Sequence, residues 1–368
     1  MMAMQETGLS VCIITKNEEK KLRRLLMSLL GYPFEIVVVD TGSTDHTLEM
    51  LSRLEEEMKN IGKLKQARIK ICYFSWCDDF AAAKNYAIRQ AENDMVFVLD
   101  SDEYVEYLDW RKLKQMFCHN PLKVGRITRK NKIEQNGRDC YFTEQIHRIF
   151  SKSQFLYQGK IHEQVVAVDG SPYDTYDAPV LVMHDGYYGT AKQRKLKAER
   201  NRKLLEEEIA QEGEDPYILY QLGKSWYMSG NYENAASYFA RGLQFDLDPK
   251  LEYVIDMVET YGYALIHAGR ASEALFFENI YDTFGNTAEF RILMGFIYMN
   301  NEMFREAVEQ FLKASECKTC RMEGANSFLS YYNAGVVEEC LGNTARAMEY
   351  YRRCGTYEPA LERLEAFR

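Results

Sequence analysis

The stretch Met95–Val105, MVFVLDSDEYV, carries five apolar residues straight into Asp100, Asp102 and Glu103. An unbroken apolar run of this length reads as a strand covered on both faces, as in a parallel sheet. Three similar runs precede it, Leu9–Thr15, Glu35–Asp40 and Ile69–Phe74, and helical patterns such as EEKKLRRLLMSLL and HTLEMLSRLEEEM separate them. The runs are rich in Val and Ile, and their alternation with helices predicts an α/β domain with a mostly parallel, Rossmann-like sheet.

Open parallel sheets bind ligands beyond the carboxyl ends of their strands. Three polar clusters fall at such ends: TKNEE after the first run, DTGSTD after the second and DSDE after the fourth. One cleft is expected to collect them. Side chains two apart on a strand point the same way, so Asp100 and Asp102 face one ligand if the extended conformation continues through Ser101. Two adjacent carboxylates repel unless a cation lies between them. Mg²⁺ or Mn²⁺ on one or two carboxylates, completed by phosphate oxygens, is the usual solution at nucleotide sites. An acidic solvated turn also accounts for a lone D-x-D, so context must decide.

The neighbouring clusters have local readings as well. Asn17 is placed to cap a helix, Gly42 to ease a turn, and Asp45 to cap the helix that follows. Asp40 ends a buried run without an obvious local cation and can accept hydrogen bonds from a base or ribose. In WCDDFAAAKNYAI, Asp78 and Asp79 precede a helix carrying Lys84, a point charge suited to a diphosphate.

A chain of 368 residues has room for about two domains. Its net charge of -9 argues against a general nucleic-acid binder. The nine cysteines include Cys12, Cys72 and Cys140 in apolar or β-like surroundings, which suits free thiols in a reducing compartment. Cys317 and Cys320 form a C-x-x-C without the two further ligands zinc needs, and read as loop cysteines. The N-terminus has no basic segment, and its apolar run is too short for a signal peptide or membrane span. A soluble, cytoplasmic protein is expected.

From Ala191 the texture changes. The stretch AKQRKLKAERNRKLLEEE, with seven Lys or Arg between Lys192 and Lys203, reads as a charged connecting helix over 191–212. Four segments then repeat a Gly followed twelve positions later by an Ala: Gly223/Ala235, Gly262/Ala274, Gly295/Ala307 and Gly335/Ala347. Small residues at both points let paired helices pack closely, which is the tetratricopeptide pattern. Aromatics stand four residues after the Ala in three of them, Phe239, Phe311 and Tyr351. The predicted division is 1–190 for the α/β domain, 191–212 for the connecting helix and 213–368 for an all-α repeat domain.

Taken in order, VCIITKNEE, IVVVDTGSTDHT, DDFAAAKNYAI and VLDSDEYV resemble family 2 glycosyltransferases of the GT-A fold. The similar branches are the β-glucosyltransferases of lipopolysaccharide cores and the tetratricopeptide-fused peptide S-glycosyltransferases of the sublancin type. The resemblance implies a UDP-sugar donor bound across the strand ends. It places Thr15, Asn17, Glu19, Asp40 and Asp79 around the nucleoside, Lys84 near phosphate, Asp100 and Ser101 beside the donor, and Asp100 and Asp102 on Mn²⁺ or Mg²⁺. Relatives often have Arg-Asn where this chain has Lys84-Asn85; the charge is kept.

The segments GKIHEQV and VMHDGY match further family elements, G-K-x-H-E and H-x-G/S-Y. Inverting transfer needs a base for the acceptor's proton; Glu163 is the leading candidate, with His162 as alternative or orienting partner. His184 is implied to complete the metal shell or to contact the diphosphate. Arg148, in HRIF, matches a recurrent arginine with a role in charge stabilisation or structural pairing. His147 reads equally as a packed or surface residue and as a ligand.

The expected function is metal-dependent inverting transfer of a sugar to a peptide or protein side chain held by the repeat groove. A glycolipid or core-oligosaccharide acceptor is the enzymatic alternative. A scaffold with a degenerate transferase domain is the alternative of another class, opposed by intact Asp40, Asp100, Asp102 and Glu163. Nucleotidyl transfer would call for a Gly-rich loop that TKNEEKK lacks. A homodimer formed through the repeats is left open.

Overall fold

The computed structural model describes residues 8–60, 67–135, 138–185 and 191–367. Gly186 and Tyr187 of the HDGY element lie outside them. The chain forms two compact units, residues 1–189 and 190–368.

In the first unit, β1 (Leu9–Thr15), α1 (Glu19–Leu29), β2 (Glu35–Asp40), α2 (Thr47–Asn60), β3 (Arg68–Tyr73), α3 (Phe80–Gln90) and β4 (Met95–Asp100) alternate. There follow β5 (Glu103–Leu108), α4 (Trp110–His119), β6 (Val124–Gln135), β7 (Arg138–Ser151), β8 (Phe155–Gln158), β9 (Gln164–Ala167) and β10 (Thr175–His184). One eight-stranded sheet runs in the order β3-β2-β1-β4-β7-β6-β10-β5, and β8 pairs with β9 apart from it. The pairs β3–β2, β2–β1, β1–β4 and β6–β10 are parallel. The remaining three pairs of the large sheet are antiparallel.

Burial on both faces explains the unbroken apolar runs. Leu9, Val11, Ile13, Ile36, Val38, Phe97 and Leu99 pack with Leu22, Leu25, Leu51, Leu54, Leu113 and Phe117 of α1, α2 and α4. The intervening Cys12, Val37, Val39, Val96 and Val98 pack with Ala81, Ala87 and Ile88 of α3. The run at Ile69–Phe74 is the exception. It begins one residue earlier, at Arg68, and is a half-exposed edge strand rather than a buried one. The strand ends at Tyr73, and Phe74 beyond it still donates its N–H to the Asp40 carbonyl at 2.9 Å.

The second unit is all helical: α5 (Ala191–Glu212), α6 (Pro216–Met228), α7 (Tyr232–Gly242), α8 (Glu252–His267), a 3₁₀ helix (Glu273–Ile280), α9 (Tyr281–Phe284), α10 (Ala288–Asn300), α11 (Phe304–Ser315), α12 (Phe328–Cys340), α13 (Thr344–Arg353) and α14 (Glu358–Ala366). The Gly/Ala spacing works as expected in three repeats. A Cβ on Gly223, Gly295 or Gly335 would collide with the ring of Phe239, Phe311 or Tyr351, the aromatic four residues after each repeat's Ala. In the remaining repeat the second helix is 3₁₀, with three residues per turn. The buried aromatic accordingly falls three residues after Ala274, at Phe277, and Gly262 faces Leu293 instead.

The helix over 191–212 is more than a solvated connector. Arg202 donates to the Ser225 carbonyl at 3.3 Å and to Ser229 Oγ at 2.7 Å, and its guanidinium lies over Trp226, 4.2 Å from the ring centroid. Thus α5 docks on the first repeat helix. All nine cysteines are free thiols, and Cys317 and Cys320 lie in the loop between α11 and α12.

Candidate active site

The strand-end loops are built largely by their own polar side chains. Asp40 is buried at the end of β2, and its Oδ1 accepts the N–H groups of Gly42 at 2.9 Å and Ser43 at 3.0 Å. Gly42, at φ 103°, takes the left-handed conformation this turn requires. Asn17 does not cap α1. It sits at φ 57° and its Oδ1 accepts from the N–H of Thr44 at 2.7 Å and of Asp45 at 3.3 Å, tying the β1 loop to the β2 loop. Glu19 opens α1, whose N-cap position is Glu18. Asp45 accepts from Thr47 N–H at 3.0 Å and Oγ1 at 2.5 Å, and the Thr47 hydroxyl foremost holds its carboxyl below the ordinary value. Asp79 caps α3 by accepting from Ala82 N–H at 2.7 Å. Thr15 is different: its hydroxyl is buried and has no hydrogen-bond partner among the described residues.

At the end of β4 the condition set for a shared ligand of Asp100 and Asp102, an extended chain through Ser101, is not met. The strand does not continue through Ser101; the chain turns at Ser101–Asp102 and re-enters a strand at Glu103. Glu103, fully buried, folds its Oε2 back to accept the Asp100 N–H at 2.8 Å. The turn sends the two aspartates to different partners. Asp100 Oδ1 pairs with Lys84 Nζ at 2.7 Å and Oδ2 with Arg148 Nη2 at 2.5 Å. Asp102 Oδ2 instead lies 3.5 Å from His184 Nε2.

Around this turn the charged groups connect. Lys84, 3% exposed, bridges Asp100 and Glu163, the latter at 2.6 Å. Arg148 also reaches Glu103 Oε1 at 3.4 Å, and Arg129 donates to the same oxygen at 3.1 Å. Arg129 continues to Glu144, Glu144 to Asn131, and Asn131 to His184. Burial alone would push Asp100 up and Lys84 and Arg148 down. The opposite charges win, so Asp100 is held well below the carboxylate range by Arg148 and Lys84, and both cations are raised. Lys84 therefore offers no free ammonium for a diphosphate; both its carboxylate partners would have to release it first.

His147 is a packed residue. Burial pushes it down to about 4, so it stays neutral, and its Nδ1 is 3.3 Å from Tyr173 Oη. His162 holds φ 51° beside Glu163, after the turn at Gly159, and the Lys160 carbonyl accepts the Phe80 N–H at 2.8 Å. That bond ties the Glu163 segment to the start of α3, which also carries Lys84.

The cation fit can be tested on these atoms. Among the described residues no three His, Cys, Asp or Glu side chains converge as metal ligands. Asp100 is not available as one here, because Lys84 and Arg148 hold both its oxygens. Asp102 and His184 do fit, as an adjacent oxygen and nitrogen donor pair suited to Mn²⁺. The connecting residues Glu103, Arg129, Asn131 and Glu144 have no individual signature in the sequence. Only the closeness of Glu103 to Asp100 and Asp102 hinted at its part.

A mostly parallel sheet with polar loops and a buried charge cluster gathered at the ends of β1, β2 and β4 is the ligand-binding arrangement of open α/β domains. Residues 10–175 match the family model described as glycosyl transferase family 2, and residues 329–360 match a tetratricopeptide repeat. The first unit is thus a family 2 glycosyltransferase domain with the GT-A type of sheet, and the second is a tetratricopeptide-repeat unit. A TPR repeat-containing protein of Synechococcus elongatus is 27% identical over 247 residues, 64% of this chain and 56% of that one. The SPbeta prophage-derived glycosyltransferase SunS of Bacillus subtilis is 25% identical over 243 residues, 63% and 52% of the two chains. This chain thus spans about half the length of these relatives. A crystal structure of S. aureus TarS superposes with a TM-score of 0.38 at 15% identity, over 73% of this chain and 54% of that one. No helix among the described residues is long and apolar enough to cross a membrane.

Proposed function

We propose that this chain is a divalent-cation-dependent, inverting glycosyltransferase that moves a sugar from a UDP-sugar to a peptide or protein side chain received by the repeat unit. The observation that carries the reading is the D-x-D turn itself. Its first aspartate is locked between Lys84 and Arg148, and its second lies beside His184 at the strand ends of a family 2 domain. A relic domain would have no reason to keep four charged side chains in register around one turn. The name of SunS as a glycosyltransferase, in a relative matched over 63% of this chain, supports the same class of activity.

Asp102 and His184 would hold the cation, which when bound supplies positive charge to the leaving diphosphate. Asp100, Lys84, Arg148 and Glu103 then act in support, fixing the turn that aims Asp102. Arg148 is a pairing residue on this reading, because it is buried and faces Asp100 and Glu103. Glu163 would take the acceptor's proton, with Lys84 setting its position and His162 shaping its backbone. Thr15 would meet the nucleoside with its unpartnered hydroxyl. Asn17, Glu19, Asp40, Asp79 and Ser101 shape the surrounding loops and would contribute chiefly through the backbone they expose.

The second unit supports the choice of a peptide acceptor. In its first helices Tyr217 and Tyr253 are half-buried against the buried Tyr220, with Lys224 and Asp256 paired at 2.5 Å beside them, and the repeat architecture they belong to suits an extended chain. The test is nucleotide release from a panel of UDP- and GDP-sugars with Mn²⁺, with and without EDTA, for the wild type and Asp102→Ala. Metal-dependent release lost in the variant is expected. Undiminished release by a folded Asp102→Ala protein would remove the metal assignment, and absence of both release and donor binding would favour the scaffold.

A further inference from the structure

We infer that Asn85 is a positioning residue for Glu163: its side-chain amide fastens the β8–β9 hairpin to α3 and so sets the carboxylate where the acceptor's proton is to be taken. The inference rests on the role proposed above for Glu163.

The hairpin needs such a tie. Among the described residues β8 and β9 pair with each other and stand apart from the eight-stranded sheet, so the ladder of the large sheet does not fix them. Glu163 immediately precedes β9, in the five-residue connection 159–163 that joins the two strands. A side chain on such a turn is placed only as well as the turn itself, and catalytic geometry tolerates about 0.5 Å.

Asn85 supplies two bonds to one residue. Its Oδ1 accepts the Tyr157 N–H at 2.9 Å, and its Nδ2 donates to the Tyr157 carbonyl at 2.8 Å. The main-chain N–H only donates and the carbonyl only accepts, so the backbone itself fixes which way the amide faces. The contact copies what a neighbouring strand would offer β8, an exchange of both main-chain bonds at one residue. Tyr157 lies directly opposite Val165, two residues beyond Glu163. The tie therefore passes across one strand pair to the segment that carries the carboxylate.

The same helix holds the rest of the segment. Phe80 donates its N–H to the Lys160 carbonyl at 2.8 Å. Lys84, next to Asn85, meets Glu163 Oε1 at 2.6 Å, and its ammonium lies 5.3 Å from the centroid of the Tyr157 ring. Phe80, Lys84 and Asn85 of one helix thus meet Lys160, Glu163 and Tyr157 of one hairpin. Between two of these ties lies His162 at φ 51°, a conformation a non-glycine residue keeps only where its surroundings impose it. The two neighbours on α3 divide the task. Lys84 holds the carboxylate by charge, at the end of a flexible stem. The Asn85 bonds are short and directional, and fix the backbone from which Glu163 reaches.

The test uses the full chain. Turnover is read as nucleotide released to water from the best donor of the UDP- and GDP-sugar panel, with water giving its proton to the same base. Binding is read by calorimetric titration with the matching nucleoside diphosphate. Misplacing a catalytic group by about 1 Å costs on the order of a hundredfold in rate, so Asn85→Ala is expected to lower turnover about 10–100-fold and to leave diphosphate binding unchanged. Glu163→Gln should lower turnover at least as far. Adding Asn85→Ala to Glu163→Gln should then cost nothing more, because a residue that acts through another has no effect once that other is gone. Asn85→Gln keeps the amide and displaces it by one methylene; it should lower turnover by less, and serves if Asn85→Ala does not fold. A loss of equal size in both backgrounds, or full turnover in a folded Asn85→Ala protein, would overturn the inference and leave the transferase reading in place. Full turnover in Glu163→Gln would remove the base, and the inference with it, again sparing the transferase. A wild type that releases no nucleotide from any donor would remove both.

Discussion

Lys84→Met is the sharpest perturbation of the buried charge cluster. The substitution keeps the side chain close to its length and removes the ammonium, which sits 2.7 Å from Asp100 and 2.6 Å from Glu163. Breaking a buried pair from one side costs about 3–5 kcal/mol, because the remaining charge stays desolvated. Asp100 keeps Arg148 and its side chain is 31% exposed, so its share is discounted for screening, whereas Glu163 is 13% exposed. The lower end, about 3 kcal/mol at pH 7, is the expectation, and for a unit of this size that is a fall in melting temperature of about 6–12 °C. Calorimetry across pH separates charge from packing. Asp100 in the wild type is held below its ordinary value, so its pairing stabilises the fold above that value and is lost as pH falls through the depressed one. In Lys84→Met the Asp100 carboxyl is more easily protonated, so the gap between the two proteins should narrow as pH falls toward about 4, the ordinary carboxylate range. A cost under about 1 kcal/mol, or one that does not change with pH, would refute the buried cluster as described.

Two further predictions concern the repeat unit. Gly295→Ala puts a Cβ into the ring of Phe311, and overpacking of this kind should cost about 1–3 kcal/mol; Gly31→Ala, with nothing within 4 Å of its Cβ, is the control, and equal melting temperatures for the two would deny the close approach. Glu259 is pushed up to about 8, by burial first, despite Arg321 beside it, and its Oε1 has no hydrogen-bond partner among the described residues. The folded state therefore holds a proton that the unfolded chain releases near 4.5, so stability should fall as pH rises between these values, by up to about 1.4 kcal/mol per pH unit. Urea unfolding from about pH 5 to about pH 9, the range that brackets this titration, should show that slope in the wild type and a flatter one in Glu259→Gln; parallel profiles would contradict it.

What the sequence made legible depends on how local each contact is. The ends of β1, β2 and β4 could be read to the residue because a strand buried on both faces is an uninterrupted apolar run, and the first polar residue marks its end. The repeats were legible for a similar reason: Gly295 and Phe311 meet inside one helical hairpin, so their spacing is itself the signal. The repeat at Ala274, which lacks the aromatic at the fourth position, is the one with the 3₁₀ helix, where a turn of three residues moves the buried aromatic to the third.

The candidate site obeys the opposite rule. VGRITRKNKIEQ, the sequence of β6, is polar enough to pass for a loop, yet two of its residues, Arg129 and Asn131, carry the line to His184. Their role depends on register with β7 and β10, and no motif encodes register across 53 residues of sequence. The D-x-D turn shows the same limit at shorter range. Ser-Asp carries no Gly or Pro to announce a turn, so the two-residue period suggested that Asp100 and Asp102 share a ligand. What separates them is Glu103, a buried carboxylate that takes the Asp100 N–H and so makes the turn. Two aspartates side by side in the sequence thereby acquire different work, one neutralised by buried cations to hold the loop and one set beside an imidazole.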